Sequence, residues 1–351
     1  MTERVIPPTI PERELERVRA GKCLMYLLLA ILLLLVPAIH CPAITIKVAT
    51  LVPEGSPWHR ALKKMAAEWQ KISDGRVQLK IYAGGIAGNE TDTIRKMRIN
   101  QIQAAMVTGK GLGYIHPDFY VYQFPFMAHG DEELDYLFLQ LQPELEKLLE
   151  GKGFTLLAFS KSGWLRFFAN TEAVTPEEMQ RLKLFSLEGS SSTDQAMKEM
   201  GFQIVPLKAN DVFAAMQSGM VDAFAAAPLV AAAMQWFALA PHMNDFFWTP
   251  LTGGLIISNR AWKMIPSELH SRLKASTETI LRDLYYEVME VEKQAIGIMK
   301  ENGLVIHPVP GNTLSRWRNM VEKSFGLLIG DTISREIYEQ ALLILEDYRN
   351  K

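Results

Sequence analysis

The stretch ITIKVATLVPEGSPWHRALKKMAAEWQKISDGRVQLKIY, residues 44–82, decides the fold class. It opens with alternating apolar residues, typical of a strand, and then turns at a segment whose Ser56 and Pro57 suit the start of a helix. Apolar residues next recur at spacings of three and four, which predicts an amphipathic helix, and a second alternating run follows at residues 77–81. Strand, helix and strand in this order favour an α/β domain with a largely parallel sheet.

The alternation of predicted strands and helices continues and then restarts in the second half of the chain. A glycine loop at residues 84–88 leads to a helix near 89–99 and a buried strand at 104–107. Later strands are predicted at 155–159, 183–187, 202–205, 221–226 and 255–257, with helices at 192–200, 210–218 and 229–239. A pattern that restarts in this way predicts two α/β lobes.

A long helix is predicted after Pro266. The helical pattern runs from Ser267 to about Asn302 and ends at Gly303, and the tail at 314–348 is helical again. About 36 residues at a rise of 1.5 Å span roughly 54 Å, which exceeds one ordinary domain core. The pattern lacks coiled-coil heptads, so we expect this helix to brace two lobes.

The expected architecture is a two-lobed α/β binding-protein fold with a ligand cleft between the lobes. We assign residues 44–164 and 252–290 to lobe I, and residues 165–251 and 291–351 to lobe II. A cleft of this kind is a natural small-molecule site, and hinge closure is its usual motion. Pattern alone therefore indicates either a two-lobed binding protein or a two-domain enzyme.

The first 43 residues have the composition of a targeting segment. An uncharged apolar run, Leu24–Ile39, follows a basic stretch, which is the order of a secretory signal peptide with cleavage after Ala43. Two alternatives stay open: the run at 24–39 is retained as a membrane anchor, although it is short for a full span, or Cys41 is lipidated. All three predict an exported, periplasmic protein.

Composition argues against several functional classes. The net charge of −2 lacks the basic excess that nucleic-acid binding needs, and both cysteines, Cys23 and Cys41, lie in the targeting segment. The seven histidines show no metal-ligand spacing, and no Gly-x-Ser-x-Gly motif occurs. The segment Gly109–Gly113 (GKGLG) resembles neither a P-loop nor a dinucleotide fingerprint. We therefore expect no cofactor, no metal site and no catalytic residues.

Several short stretches, taken in order, resemble the DctP-type solute receptors of TRAP (tripartite ATP-independent periplasmic) transporters. They are EGSPW at 54–58, SDGR at 73–76, FPF at 124–126, TPEEM at 175–179 and VFAAMQSG at 212–219. The resemblance covers nearly all of residues 44–345 and depends on order and spacing, because no single motif is decisive. It implies two lobes joined by crossing strands, and a receptor that delivers a small organic solute to the membrane permease subunits.

Positions that bind carboxylates in this family carry different residues here. The resemblance places a ligand-binding arginine, which suits a carboxylate because of its bidentate geometry, where this chain has Phe185. A second family arginine corresponds to Arg166 or, with a shift of one residue, to Leu165. No polar side chain lies between Asp222 and Pro228, where the family often has an asparagine. Because an unpaired buried carboxylate is unfavourable, we predict a hydrophobic or weakly polar ligand, with an acid group at one end if Arg166 reaches the cleft.

The candidate ligand-binding residues lie at predicted strand ends or in the family-like stretches. They are Trp58, Thr108, Trp164, Arg166, Phe185, Leu187, Phe224 and Pro228. Each also has a structural interpretation, since tryptophans and phenylalanines are common in cores and Arg166 could be a surface ion-pair partner.

Other functions and partners stay open at this point. A lipid-handling or sensory periplasmic binding protein without a permease is one alternative, and an exported two-domain enzyme is another. The family resemblance also implies a helical-repeat lipoprotein as a partner of receptors with hydrophobic pockets.

Overall fold

A computed structural model describes residues 43–188 and 191–351. The first elements are β1 (Ile44–Thr50), α1 (Pro57–Ile72), β2 (Val77–Tyr82), α2 (Glu90–Arg98), β3 (Ala104–Thr108), α3 (Gly109–Ile115), a 3₁₀ helix (Pro117–Gln123), α4 (Asp131–Gly151) and β4 (Phe154–Trp164). The central elements are β5 (Arg166–Ala169), α5 (Pro176–Met179), β6 (Lys183–Leu187), α6 (Ser191–Glu199), β7 (Gln203–Leu207), α7 (Val212–Gln217), β8 (Ala223–Ala226) and α8 (Pro228–Ala233). The last elements are β9 (His242–Asp245), β10 (Pro250–Ser258), α9 (Asn259–Met264), α10 (Ser267–Glu301), β11 (Val305–Pro308), α11 (Gly311–Phe325) and α12 (Arg335–Arg349).

Two mixed sheets form the frames of the two lobes. The lobe I sheet has the strand order β2-β1-β3-β10-β4, and the lobe II sheet has the order β11-β9-β5-β8-β6-β7. The pairs β1–β2, β1–β3, β6–β7 and β6–β8 are parallel, as the strand–helix–strand pattern predicts. Strand β10 is antiparallel to β3 and β4, and β5 is antiparallel to β8 and β9. The two-lobed α/β architecture is confirmed, and each of these antiparallel pairs includes β5 or β10, the strands that begin after the β4–β5 and β9–β10 crossings.

Two crossings of the chain between the sheets, from β4 to β5 and from β9 to β10, are bonded to each other; a third runs from β10 to β11 through α10. At the first crossing, β4 of the lobe I sheet ends at Trp164 and β5 of the lobe II sheet begins at Arg166. Leu165 is therefore the residue between the two sheets. The Leu165 N–H donates to the Thr249 carbonyl at 2.8 Å, and the Trp248 N–H donates to the Leu165 carbonyl at 2.9 Å. These two bonds define the hinge, the segment where the backbones of both crossings run side by side.

Helix α10 braces the molecule as predicted. Its 35 residues correspond to roughly 52 Å. Its first part packs on α1 and β4, where Leu273 and Val288 are buried in the core of lobe I, and it also contacts α8 of lobe II. Near its end, Met299 lies in a buried cluster with lobe II residues. One continuous helix therefore contributes to the cores of both lobes.

The division into lobes stays a prediction, and the last two helices pack on different parts of the molecule. Helix α11 lies on lobe II, where the Trp317 indole donates to the Val174 carbonyl at 3.0 Å. Helix α12, assigned to lobe II within residues 291–351, instead packs on α4 of lobe I. Its Arg349 bonds Glu133 at 2.7 Å, and its apolar face is buried there. The C-terminal segment thus returns to lobe I because its buried side chains complete that core.

Two helical predictions differ from the structure in continuity. The helix predicted at 229–239 is α8 followed by a 3₁₀ turn, because Gln235 adopts left-handed backbone with φ 56°. The tail predicted as one helical stretch at 314–348 is α11 and α12, separated by a turn that contains Gly330 with φ 94°.

The targeting segment lies outside the described residues, as do Cys23, Cys41 and the apolar run at 24–39. Within residues 43–188 and 191–351, none of the helices combines the length and apolar character of a membrane span.

A buried hydrogen bond between α1 and α10 gives a test of the bracing role. The Trp69 indole donates to the Thr277 hydroxyl at 3.1 Å, and both residues are buried. We expect Thr277→Val to lower the free energy of unfolding by about 1–3 kcal/mol, because the indole N–H loses its acceptor. Urea denaturation would measure the change, with Thr279→Val at an exposed position of the same helix as the control. Equal effects of the two substitutions would contradict the assignment.

Candidate functional site

Charged side chains beyond the ends of β3 and β6 lie within electrostatic range of one another. Lys110, on α3 of lobe I, lies within electrostatic range of Asp194 on α6 of lobe II, and so does Tyr120 of lobe I. Ligands of α/β proteins bind beyond the carboxyl ends of strands, and α3 and α6 follow such ends. We call Glu90, Lys110, Tyr120, Ser186 and Asp194 the interlobe cluster, and it marks the cleft between the lobes.

Glu90 is fixed by the backbone at the start of α3. Its carboxylate accepts the Thr108 N–H at 2.6 Å and the Thr108 hydroxyl at 2.8 Å. A further backbone hydrogen bond comes from Gly111, where a Cβ would lie 2.9 Å from Glu90 Oε2. Burial raises the pKa of Glu90, although the bonds from Thr108 and the charge of Lys110 oppose that shift. Glu90 is therefore a structural carboxylate of lobe I.

Lys110 is the cation of the interlobe cluster. Burial lowers the pKa of its ammonium group, while the carboxylates of Asp194 and Glu90 oppose the shift. Asp194 is only 8% exposed and accepts a hydrogen bond from the Ser186 hydroxyl. Burial, together with these two carboxylates, also raises the pKa of Tyr120. The cluster thus combines one ammonium group with two carboxylates, and its net charge is negative when all three groups are ionised.

Arg166 lies at the hinge and is paired within the protein. Its Nη1 is 2.8 Å from Asp245 Oδ1, and its guanidinium lies over the Phe247 ring at 5.1 Å. Trp164 stacks on the same ring with centroids 5.0 Å apart and donates to Asp131 at 3.2 Å. The arginine charge is therefore neutralised by a protein carboxylate in this conformation.

The aromatic candidates on β6 and β8 belong to the core of lobe II. Phe185 is half-buried and contacts Trp236 edge-on at 5.5 Å. Phe224 is fully buried, stacked on Phe168 at 4.9 Å and edge-on to Trp236 at 5.2 Å. Side chains alternate along a strand, so Ser186 projects from the opposite face of β6 to Phe185 and bonds Asp194.

The remaining candidates lie at strand or helix ends. Trp58 is half-buried at the start of α1 and donates to the Ser162 hydroxyl at 2.9 Å, close to the hinge. Pro228 is buried as the first residue of α8. Leu187 is partly buried at the end of β6, where it pairs with Leu207. A ligand-binding role for all eight candidates stays a prediction.

A buried carboxylate from α10 also lies at the hinge. Glu292 is 9% exposed and accepts a long hydrogen bond of 3.4 Å from the Leu229 N–H of lobe II. It also faces Gly163 of β4, which has φ 90° and where a Cβ would lie 3.1 Å from Oε2. Burial raises the pKa of Glu292 to about 7; the Leu229 bond and Arg166 oppose the shift, and Asp131 adds to it.

The histidines of the described chain do not assemble a metal centre. His242 and His307 approach to 2.9 Å between β9 and β11. Within residues 43–188 and 191–351, no group of three or more His, Cys, Asp or Glu side chains is arranged to hold a metal ion.

Sequence comparison identifies the family. The family "Bacterial extracellular solute-binding protein, family 7", or DctP, matches residues 48–326. The chain belongs to this family.

Relatives and solved structures agree with the assignment. The C4-dicarboxylate-binding periplasmic protein DctP of Rhodobacter capsulatus is 22% identical over 296 residues, which cover 83% of this chain and 87% of that protein. The 2,3-diketo-L-gulonate-binding periplasmic protein YiaO of Escherichia coli is 24% identical, covering 71% of this chain and 76% of its own length. A TRAP periplasmic solute-binding protein from Desulfovibrio salexigens with bound orotic acid superposes with a TM-score of 0.80 at 15% identity, over 87% of this chain and 98% of that one.

Membership in family 7 confirms the predicted resemblance to TRAP receptors. These proteins bind solutes outside the cytoplasm and are not enzymes, and they work with a membrane permease. The chain is therefore a member of a family of solute-binding proteins.

None of the five residues of the interlobe cluster was among the predicted candidates. Thr108 was a candidate, and it bonds Glu90 of the cluster. Lys110 could have been found, because it lies three residues after a predicted strand end in lobe I. Its proximity to Asp194 depends on how the lobes close, and no local pattern reports that.

The buried Glu292 predicts a pH-dependent penalty on stability. Its pKa lies at about 7 in the folded protein against 4.5 in a free side chain, so the folded state holds the proton more tightly. Stability should therefore fall as pH rises from about 4.5 through about 7, with the penalty complete above that range. Glu292→Gln should remove a penalty of up to about 3 kcal/mol at pH of about 8 and change little at pH of about 4.

Urea denaturation at both pH values measures this effect. The control is Glu287→Gln, an exposed carboxylate on the same helix that pairs with Arg60. A gain for Glu292→Gln that is equal at both pH values would argue against a raised pKa.

Proposed function

We propose that this chain is the solute-binding receptor of a TRAP-type transporter and that it captures an uncharged or weakly polar, partly hydrophobic organic molecule. The observation that supports this ligand class is the charge state of the cleft. Arg166 pairs with Asp245, and Lys110 lies within electrostatic range of Glu90 and Asp194, so each cation already interacts with a protein carboxylate.

A ligand carboxylate would enter an unfavourable field. Beside Lys110 it would be the third carboxylate around one ammonium group, in a region where burial strengthens electrostatic interactions. Beside Arg166 it would have to compete with Asp245, which is bonded at 2.8 Å. An uncharged ligand avoids both penalties, because it is not repelled by the carboxylates near Lys110 and does not compete with Asp245 for Arg166.

The apolar residues at the family's carboxylate-binding positions fit the same ligand class. Phe185 stands where the family resemblance places an arginine, and the segment from Ala223 to Ala227 has no polar side chain. Relatives bear names or bound ligands that are acids, including C4-dicarboxylates, succinate and β-D-galacturonate. The difference at Phe185 argues against a simple transfer of those ligands to this chain.

The partners follow from the same assignment. A receptor of this family delivers its ligand to the membrane permease subunits of the transporter, and its place of action is the periplasm. Processing or anchoring through residues 24–39 is proposed from the sequence. A helical-repeat lipoprotein partner is proposed from family resemblance alone.

Native mass spectrometry of the exported protein tests the ligand class, together with thermal shift. We expect a one-to-one complex with uncharged compounds such as benzamide or benzyl alcohol, or with a co-purified apolar ligand. We expect binding to succinate and sialic acid to be weaker by about tenfold or more, about 1.4 kcal/mol. Binding of succinate or sialic acid with no uncharged compound bound would reject the proposal.

The same experiment separates a receptor from an enzyme. Recovered ligand should have an unchanged mass, because a receptor binds stoichiometrically and releases its ligand intact. A mass change in the presence of catalytic amounts of protein would instead indicate turnover.

A further inference from the structure

We infer that a proton on Glu292 controls how helix α8 docks on α10, so that the neutral carboxyl group keeps the two lobes together and the carboxylate favours their separation. This regulation would act on the opening of the cleft, whatever ligand the cleft takes.

Helix α8 is an element of lobe II that reaches into lobe I. Its Leu229 side chain is 8% exposed and lies in the hydrophobic core cluster of lobe I, whereas Ala231, two residues later, is buried in the cluster of lobe II. The helix also packs on α10. Separation of the lobes must therefore withdraw Leu229 from lobe I and loosen α8 from its neighbours.

Glu292 lies at this contact. It is 9% exposed, and its Oε2 accepts the Leu229 N–H at 3.4 Å. It also meets the end of β4, since a Cβ at Gly163 would lie 3.1 Å from Glu292 Oε2 and 3.0 Å from Met289 Cε. Gly163 is two residues before Leu165 of the hinge. The carboxyl group is thus enclosed by its own helix α10, by β4 of lobe I and by α8 of lobe II.

The charged groups that act on Glu292 leave a carboxylate there without a partner. In the part of the chain that the structure describes, the long bond from Leu229 is its one hydrogen bond, and it forms no ion pair. Arg166 attracts it from a distance but is bonded to Asp245 at 2.8 Å. The other group within range, Asp131, is an acid and repels a carboxylate. Burial therefore favours the neutral form, and it raises the pKa of Glu292 to about 7.

Ionisation of Glu292 should move α8 rather than the other two elements. A buried carboxylate without a counter-charge is strongly unfavourable, and water reaches it only if a neighbouring element withdraws. Helix α10 packs on α1 and β4, and β4 is bonded into the lobe I sheet, whereas α8 has only six residues. The docked form holds the proton more tightly, so undocking becomes easier as pH rises through about 7.

Hydrogen–deuterium exchange of the full chain without ligand, read by mass spectrometry, measures the docking of α8. Exchange rates at pH of about 6 and about 8 are compared with those of unstructured peptides at the same pH. With a pKa of 4.5 in the undocked form and about 7 in the docked form, the protection of the α8 amides should fall about tenfold between these two pH values. The α8 amides should also be less protected than those of the buried strand β10, because they exchange without unfolding of the whole protein.

Glu292→Gln keeps the size of the side chain and removes its proton equilibrium, so the fall in α8 protection should vanish. The matched control is Glu287→Gln, which alters an exposed carboxylate on the same helix and should keep the fall. If Glu292→Gln does not fold, as judged by circular dichroism, Glu292→Met takes its place under the same criteria.

Three results would overturn the inference. They are the absence of the fall in the unsubstituted protein, its persistence in Glu292→Gln, and equal protection of α8 and β10, since α8 would then open only when the whole fold does.

The exchange measurement contains no ligand, so an error in the proposed ligand class leaves its outcome unchanged. One consequence does rest on the proposed function: a receptor that holds its ligand in the closed form should bind benzamide up to about tenfold more tightly at pH of about 6 than at about 8. Absence of benzamide binding at both pH values, together with the expected exchange result, would count against the ligand class and leave the role of Glu292 supported.

Discussion

The pairing of the two crossings at the hinge is the constraint on which the rest of the structure depends. Leu165 bonds through both its N–H and its carbonyl to the returning chain at Trp248 and Thr249. These bonds hold the two backbones together, and helix α10 joins the lobes again by packing on both of them. Within this frame Lys110, after β3, lies within electrostatic range of Asp194, after β6.

Charged side chains at the hinge and in the cleft interact with other charged groups of the protein. At the hinge, Arg166 pairs with Asp245, and Glu292 is buried with a raised pKa. In the cleft, Lys110 lies near two carboxylates. A buried charge without a partner is strongly unfavourable, so a cleft that carries its own counter-charges can close around a molecule that brings none.

Local sequence patterns predicted the elements well and the site only in part. The periodicity of α1, β2 and α10 gave their bounds to within one or two residues, because a long segment with a regular apolar stripe rarely adopts a different secondary structure. Phe185 was recognised as a departure from the family, but sequence alone could not decide that Ser186, its neighbour, would face the interlobe cluster. The interaction of Lys110 with Asp194 spans two lobes, and the packing of the last helix onto lobe I joins residues 216 positions apart, such as Glu133 and Arg349. Such non-local contacts leave no trace in a local pattern.

The return of α12 to lobe I has a consequence for the order of events during synthesis. Lobe I begins with β1 at Ile44, yet the helix that covers α4 follows the strands of both sheets along the chain. The core of lobe I therefore stays incomplete until residues 335–349 have been synthesised, and neither lobe is a continuous piece of polypeptide. Lobe I is thus begun before lobe II and completed after it.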